Sequence, residues 1–273
     1  MELSEFDLLT LQRARRVLES PGLAARLSNI IGAPVEAGVR SLPFSVQELI
    51  VRATRSSLQA GLRAMIATMD CEPGKPGDPS AYQLVSSLSG AASGFFGLAA
   101  LPVELPLTTL MMLRSIAEHA REQGEDLAQP EVQLACLEVL ALGGRSRADD
   151  AAEAGYYASR IGLAQSINSA ASYLSRHGFA RKVAGPVANF ISRVAARFSV
   201  TVTESMLAKA VPVIGAASGA TVNALFMRHF QDMAWAHFTV RRLERKYGAK
   251  LIQRTYEALA ASDLPPRQLR AGA

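Results

Sequence analysis

Two long uncharged stretches, both rich in glycine and alanine, constrain the fold of this chain more than any other feature. They span residues 79–103 and 210–227, and each contains the pentapeptide Gly-Ala-Ala-Ser-Gly, at 90–94 and at 215–219. Small residues spaced four apart give a helix a smooth face that lets a neighbouring backbone approach closely. Because glycine inside a water-exposed helix costs about 1 kcal/mol relative to alanine, we expect both stretches to be packed helical segments.

The sequence is compatible with more than one environment for these two stretches. A membrane-spanning helix needs about 20 apolar residues. The first stretch has that length, but Pro102, Glu104 and Pro106 bend and charge its end, and the second stretch is slightly short. Three alternatives follow, which are a buried soluble core, insertion into a membrane surface as a hairpin, and true spanning helices.

The remainder of the chain predicts helices. Alanine and leucine dominate, and alternating β-branched runs bounded by Asn-Gly or Asp-Gly turns are missing from the sequence. The predicted fold is therefore an all-α multi-helix bundle that contains the two apolar segments as helical hairpins. Residues 71–80 hold three prolines and two glycines, which is typical of a linker. This predicted linker separates an N-terminal helical arm (1–70) from a bundle (81–261), and a flexible tail (262–273) is expected to follow the bundle.

Capping signals and periodicity locate individual helices. Ser45 and Glu48 form a candidate capping box at the start of one helix. Gly143 and Gly144 are expected to end another helix in the left-handed conformation. The predicted helices cover residues 45–69, 104–123, 130–143 and 148–176, with three more up to residue 261, after an amphipathic helix at the N-terminus.

The basic residues are unevenly distributed. The net charge is +5, and residues 154–203 contain no aspartate or glutamate. A basic block of this kind suits anionic lipid or nucleic acid, or else it is a solvated face balanced by acids elsewhere. Within it, residues 187–200 predict an amphipathic helix with only basic charge, typical of a membrane-surface helix or of a bundle helix with a cationic outer face. The predicted membrane-binding residues are Arg181, Lys182, Arg193 and Arg197, and no nucleic acid is expected as a partner.

Two motifs resemble a known family. The segment 103–106 (Val-Glu-Leu-Pro) leads into a helix, and the segment 211–216 (Val-Pro-Val-Ile-Gly-Ala) precedes a downstream asparagine. In this order they resemble the EcsC protein family over about residues 80–250, although the family more often has Asp at Glu104 and an aromatic residue at Glu125. The resemblance implies a bacterial origin and proximity to membrane processes, without a defined reaction. The motif positions to which we assign a structural role are Glu104, Pro106, Arg114, Pro212, Gly215 and Asn223.

The usual catalytic signatures are absent from the sequence. It has no HExxH, GxSxG, P-loop or dinucleotide-binding motif, and none of the four histidines stand three or four residues apart. No cofactor or metal is therefore assigned. An alternative is a metal-dependent hydrolase whose site is assembled from separate helices, with Glu118 and Glu138 as further ligands. The candidate catalytic residues for such an enzyme are Glu104, His119, His229 and Asp232.

Glu104 carries the sharpest prediction. It is the only charged residue between Pro79 and Leu113, and a buried charge without partners is too costly to keep ionised. We expect its carboxylate near the start of a helix, shielded from water, accepting hydrogen bonds from backbone amides, an arginine or Asn223. Arg114 and Glu118, four residues apart, predict a surface ion pair of little energetic value.

The function expected from these features is that of a non-enzymatic accessory protein associated with membranes. It binds an anionic membrane surface or a transporter-type membrane protein complex through the Gly/Ala-rich segments and the basic block. Because the first twenty residues hold many charges and no apolar core segment, we expect a cytoplasmic protein, peripheral to the inner face of the cell membrane. A soluble scaffold that covers its apolar segments in a homo-oligomer is a further alternative.

Overall fold

The described part of the chain is helical throughout. The computed structural model describes residues 3–20, 22–31, 35–68, 101–144, 155–178, 185–210 and 216–262. The helices are α1 (Glu5–Leu18), α2 (Leu23–Ile31), α3 (Val35–Ser41), α4 (Phe44–Thr68), α5 (Leu101–Glu122), α6 (Pro130–Leu142), α7 (Tyr156–His177), α8 (Gly185–Ala210), α9 (Ala216–Tyr247) and α10 (Ala249–Ser262). No strand occurs among these residues, so the predicted all-α fold is confirmed. The first pentapeptide, at 90–94, lies outside them.

Helix α6 forms the centre of the core. Every side chain from Leu134 to Ala141 is buried, and the helix contacts α4, α5, α7, α8 and α9. Pro130 occupies the first turn, where its missing N–H costs no hydrogen bond. A helix that is apolar on all sides is stable only when it is surrounded by other elements, which explains why its neighbours form a closed layer around it.

The helices before the predicted linker pack on those that follow it. Helix α4 contacts α5 and α8, α1 contacts α9, and α2 and α3 contact α8. Their buried side chains belong to the same hydrophobic core as those of α5 to α10. The domain boundary at 71–80 falls outside the described residues and stays a prediction.

The start of α4 differs from the predicted capping box. The helix begins at Phe44, and the carbonyl oxygen of Pro43 accepts hydrogen bonds from the backbone N–H groups of Val46 and Gln47. Ser45 is therefore inside the first turn, and Glu48 pairs with Arg52 one turn further on. The predicted cap at Ser45 is wrong because the helix begins before Ser45, which places this residue inside the first turn.

The two glycines that end α6 serve close packing. Gly143 has a right-handed φ of −74°, so the predicted left-handed cap is wrong. A Cβ atom on Gly143 would lie 2.4 Å from the ring of Phe230, and one on Gly144 would lie 2.6 Å from the carbonyl oxygen of Arg197. Both positions need glycine because α8 and α9 approach the end of α6 more closely than any side chain permits.

The apolar side of α8 faces the core. Phe190, Val194 and Phe198 are fully buried, and the Phe198 ring packs edge-on against Phe230. The apolar residues of the amphipathic helix predicted at 187–200 are therefore packed in the bundle, and contact of its basic outer side with a membrane stays a prediction. Among the helices described, none is sufficiently long and apolar to cross a membrane.

Candidate functional site

Glu104 lies in the first turn of α5 and is held by two other helices. Its Oε1 atom accepts hydrogen bonds from Nζ of Lys209 and, at 3.3 Å, from Nδ2 of Asn223. The Glu104 and Lys209 side chains are 16% and 13% exposed. A carboxylate is also stabilised electrostatically by the N-terminal end of its own helix. Asn223 is one of the donors predicted for Glu104, whereas Lys209 was not foreseen.

Three helix ends meet at this cluster. Glu104 is near the start of α5, Lys209 near the end of α8, and Asn223 near the start of α9. The fold thus brings Glu104 of the first motif to Lys209 and Asn223, which flank the second motif. Pro212 and Gly215 lie outside the described residues. Pro106 lies inside α5, because the helix begins at Leu101.

A small cavity of about 30 Å³ borders the cluster. That volume has room for about two water molecules. The hydroxyl group of Thr108 is buried beside it with no hydrogen-bond partner. Its lining residues are Glu104, Leu105, Thr108, Val202, Ser205, Met206, Lys209, Asn223 and Phe226.

We expect Glu104→Gln to lower the free energy of unfolding by about 1–3 kcal/mol, because it removes hydrogen bonds made to a charged, largely shielded group. Glu48→Gln is the matched control, since Glu48 pairs with Arg52 on the exposed surface and such pairs contribute only about 0–1 kcal/mol. Urea denaturation of both variants measures the difference. Equal stabilities of the two variants would contradict the structural role of Glu104.

The other predicted catalytic residues contact partners other than Glu104. Nδ1 of His119 is 3.2 Å from a carboxylate oxygen of Glu122. Asp232 is 3.9 Å from the guanidinium of Arg26. No three His, Cys, Asp or Glu side chains among the described residues are close enough to hold a metal ion together. Among the described residues these side chains therefore do not form a metal site, and a catalytic role for them stays a prediction.

His229 has a structural environment. Its Nε2 atom is 2.9 Å from the carbonyl oxygen of Gly143, so Nε2 carries the hydrogen and donates it. Burial lowers the pKa of His229 to about 4, which keeps the ring neutral. The ring ties α9 to the end of α6.

Two acidic residues pair with arginines differently from the predictions. Glu118 is buried and pairs with Arg121, so the predicted surface pair with Arg114 is wrong. Glu125 is also buried and accepts hydrogen bonds from Arg241, at 2.7 and 3.3 Å, and from Arg245. This chain thus uses a doubly paired carboxylate at the position where the family resemblance leads one to expect an aromatic residue.

A second cluster of polar side chains lies inside the bundle, and the sequence alone did not predict that these residues meet. The Tyr156 hydroxyl is 2.9 Å from Nδ1 of His237, and Nε2 of His237 is 3.7 Å from a carboxylate oxygen of Glu138. Burial raises the pKa of Glu138 to about 7 and lowers the pKa of His237. Glu138 is the only charged residue in the buried part of α6, just as Glu104 is the only charged residue in its apolar stretch of the sequence.

This cluster lies in the interior of the described bundle. Glu138, His237 and Tyr156 are all buried. Beside them, Arg160 donates two hydrogen bonds to Glu244, at 2.8 and 3.1 Å. The arrangement is a buried polar network that joins α6, α7 and α9.

The predicted membrane-binding residues divide into three groups. Arg193 is exposed on α8, whereas Arg197 is half-buried on the same helix. Arg181 and Lys182 lie outside the described residues. Elsewhere in the basic block, Arg176 is exposed and Arg160 forms an ion pair with Glu244. The exposed cationic side of α7 and α8 is therefore sparse.

The chain was compared with protein families, curated proteins and solved structures. Residues 78–243, more than half of the chain, match the model of the EcsC protein family. No curated protein matches the chain. No solved structure matches it.

Proposed function

The chain belongs to the EcsC protein family, and from that starting point we propose that it is a non-enzymatic accessory protein associated with membranes. It binds an anionic membrane surface, alone or as part of a membrane protein complex, from the cytoplasmic side. The uncharged Gly/Ala-rich stretches provide the apolar contact and the exposed arginines provide the electrostatic contact.

The observation that carries this proposal is the meeting of three helix ends at Glu104, Lys209 and Asn223. The first uncharged stretch runs into the first turn of α5, and the second begins at the last residue of α8 and ends inside α9, where Val222, Phe226 and Met227 are buried. Because Lys209 and Asn223 both contact Glu104, the described helix ends that flank residues 79–100 and 211–215 lie close together. Two apolar segments attached at a single end make a stronger membrane contact than either alone, since their buried areas add.

The position of the exposed arginines sets the orientation of the bundle. Arg193 precedes Lys209 in α8 by about 24 Å along the helix axis. A basic residue attracts anionic lipid only within about a Debye length of the surface. The bundle therefore approaches the membrane with the outer side of α8 as well as with the Glu104 end.

The apolar contact is tested by Leu98→Asp, which places a charge in the first uncharged stretch. We expect it to weaken binding to vesicles of phosphatidylglycerol and phosphatidylcholine by roughly tenfold or more, since a charge costs about 2.5–3.5 kcal/mol at the centre of an inserted segment and less near the interface. Ile161→Asp is the matched control, because Ile161 is an apolar side chain that is 66% exposed on α7. Vesicle co-sedimentation of the full chain measures both.

The thermal midpoint and the oligomeric state of each variant separate the alternatives. Weakened vesicle binding in a Leu98→Asp protein of normal stability supports the proposal. A loss of stability with unchanged vesicle binding would assign the stretch to the core, and dissociation of an oligomer with unchanged vesicle binding would assign it to contacts between subunits. Either of these two results contradicts the proposal.

A further inference from the structure

The cavity beside Glu104 combines polar groups of both signs with an apolar wall. Its two charged lining residues, Glu104 and Lys209, pair with each other, so their charges cancel. A guest that carries a net charge would face a group of its own sign at close range, which is unfavourable beside two largely shielded side chains. A neutral guest that both donates and accepts hydrogen bonds has no such penalty.

The hydrogen-bonding capacity left in the cavity fits hydroxyl groups. The described hydrogen bonds to the Glu104 carboxylate fall on Oε1, which leaves Oε2 to accept one. The Lys209 ammonium has three N–H donors, of which the described bond uses one. The buried Thr108 hydroxyl is without a partner and borders the cavity, and a buried hydroxyl without a partner costs free energy that a guest recovers.

The volume and the apolar wall of the cavity further limit the size and the chemistry of the molecule that it can bind. About 30 Å³ accommodates about two groups of the size of a water molecule. Leu105, Met206 and Phe226 form an apolar side, against which the carbon atoms of a guest pack. Two adjacent hydroxyl groups meet both requirements when the short carbon chain that carries them lies along the apolar side and extends out through the open side of the cavity.

We propose that the cavity formed by Glu104, Thr108 and Lys209 binds a vicinal diol, the end group of a glycerol headgroup or of a soluble glycerol phosphate. One hydroxyl donates to Oε2 of Glu104, and the other accepts from Lys209 and pairs with Thr108. The lipid source rests on the proposed function, since the cavity lies at the end of the bundle assigned to the membrane. Phosphatidylglycerol carries this diol, whereas phosphatidylserine has the same net charge without it.

Two neighbouring threonines provide a matched pair of variants. Thr108 and Thr109 are both buried, and both hydroxyl groups have no hydrogen-bond partner. Only Thr108 lines the cavity. Thr108→Val and Thr109→Val each remove one unpartnered hydroxyl from α5, so both are expected to keep or raise the thermal midpoint, and only the first removes a contact to the guest.

The test compares vesicles that contain equal fractions of phosphatidylglycerol or phosphatidylserine in phosphatidylcholine. We expect the wild-type protein to prefer phosphatidylglycerol by roughly three- to tenfold, the effect of one or two hydrogen bonds. Thr108→Val should lose this preference and Thr109→Val should retain it. In a parallel titration, sn-glycerol 1-phosphate should raise the thermal midpoint of the wild type and of Thr109→Val, but not that of Thr108→Val.

The outcomes distinguish this proposal from the proposed function. Equal binding to both anionic vesicles, or equal behaviour of the two threonine variants, means that the cavity holds water only and overturns the diol site while membrane binding stands. A response to glycerol 1-phosphate that depends on Thr108, without binding to any vesicle, supports the diol site with a soluble source and overturns the proposed function.

Discussion

Gly144→Ala is expected to lower the free energy of unfolding by about 2–3 kcal/mol, the usual cost of forcing an extra methyl group into a packed core. The added Cβ would lie 2.6 Å from the backbone carbonyl oxygen of Arg197. A backbone atom inside α8 cannot rotate away as a side chain can, so α8 and the end of α6 must separate. Chemical denaturation followed by circular dichroism measures the effect.

Gly162→Ala is the matched control for this prediction. Gly162 lies inside α7, and a Cβ atom there meets nothing within 4 Å. Alanine is favoured over glycine in a helix interior by about 0.5–1 kcal/mol, so this variant should be more stable than the wild type. If both substitutions shift the free energy of unfolding in the same direction, the close approach of α8 is not the reason why position 144 requires glycine.

Glu138→Gln is expected to change the pH dependence of stability. Burial raises the pKa of Glu138 from 4.5 to about 7, and each pKa unit corresponds to about 1.36 kcal/mol. The protonated carboxyl group favours the folded state fully below pH 4.5, and this contribution is lost as the pH rises through 7. Glutamine stays neutral, so the variant should exceed the wild type in stability by up to about 3 kcal/mol above pH 7 and by little at pH 4.

The difference between the two proteins at each pH removes the effects that the two share. His229 is buried with a lowered pKa, so it lowers stability as the pH falls through 6.5 in both proteins and cancels in the difference. His237 also has a lowered pKa but contacts Glu138, so its contribution cancels only above about pH 6.5, the ordinary pKa of histidine, where it is neutral in both proteins. Glu131→Gln, an exposed acid on α6, serves as a control that should shift stability by less than about 0.5 kcal/mol. A difference for Glu138→Gln that stays constant from pH 4 to 8 would contradict a shifted carboxyl group.

Local signals predicted most helix positions well. The helix predicted at 104–123 is α5 (Leu101–Glu122), and the one at 130–143 is α6 (Pro130–Leu142). Proline, glycine and apolar periodicity act within a few residues of each other, so they are readable from the chain alone. Helices α2 and α3 were not predicted, since they are short and their stability comes from packing on α8.

The candidate site was predictable in part. One charge in an apolar stretch requires a partner, and this argument led to Glu104 and to Asn223 as a donor. The same argument applies to Glu138, but its neighbours His237 and Tyr156 come from distant helices. Which side of each helix faces which neighbour depends on the packing of the whole bundle, and a single sequence does not define it.

Some local features also depend on distant residues. The first N–H group of α7, on Tyr156, donates at 3.1 Å to the carboxylate of Glu19, which directly follows α1. A cap supplied from far along the chain leaves no signal near the helix that it stabilises.

Flotation of the full chain with vesicles tests membrane association most directly. The wild-type protein is expected to float with vesicles that contain phosphatidylglycerol and to bind pure phosphatidylcholine much more weakly, with binding reduced at high salt. Arg193→Glu should weaken the anionic binding by about tenfold, since each basic residue near such a surface contributes about 1 kcal/mol. Arg254→Glu, at an exposed position on α10, should have little effect. Equal recovery of the wild type with anionic vesicles, with neutral vesicles and without vesicles would contradict the account.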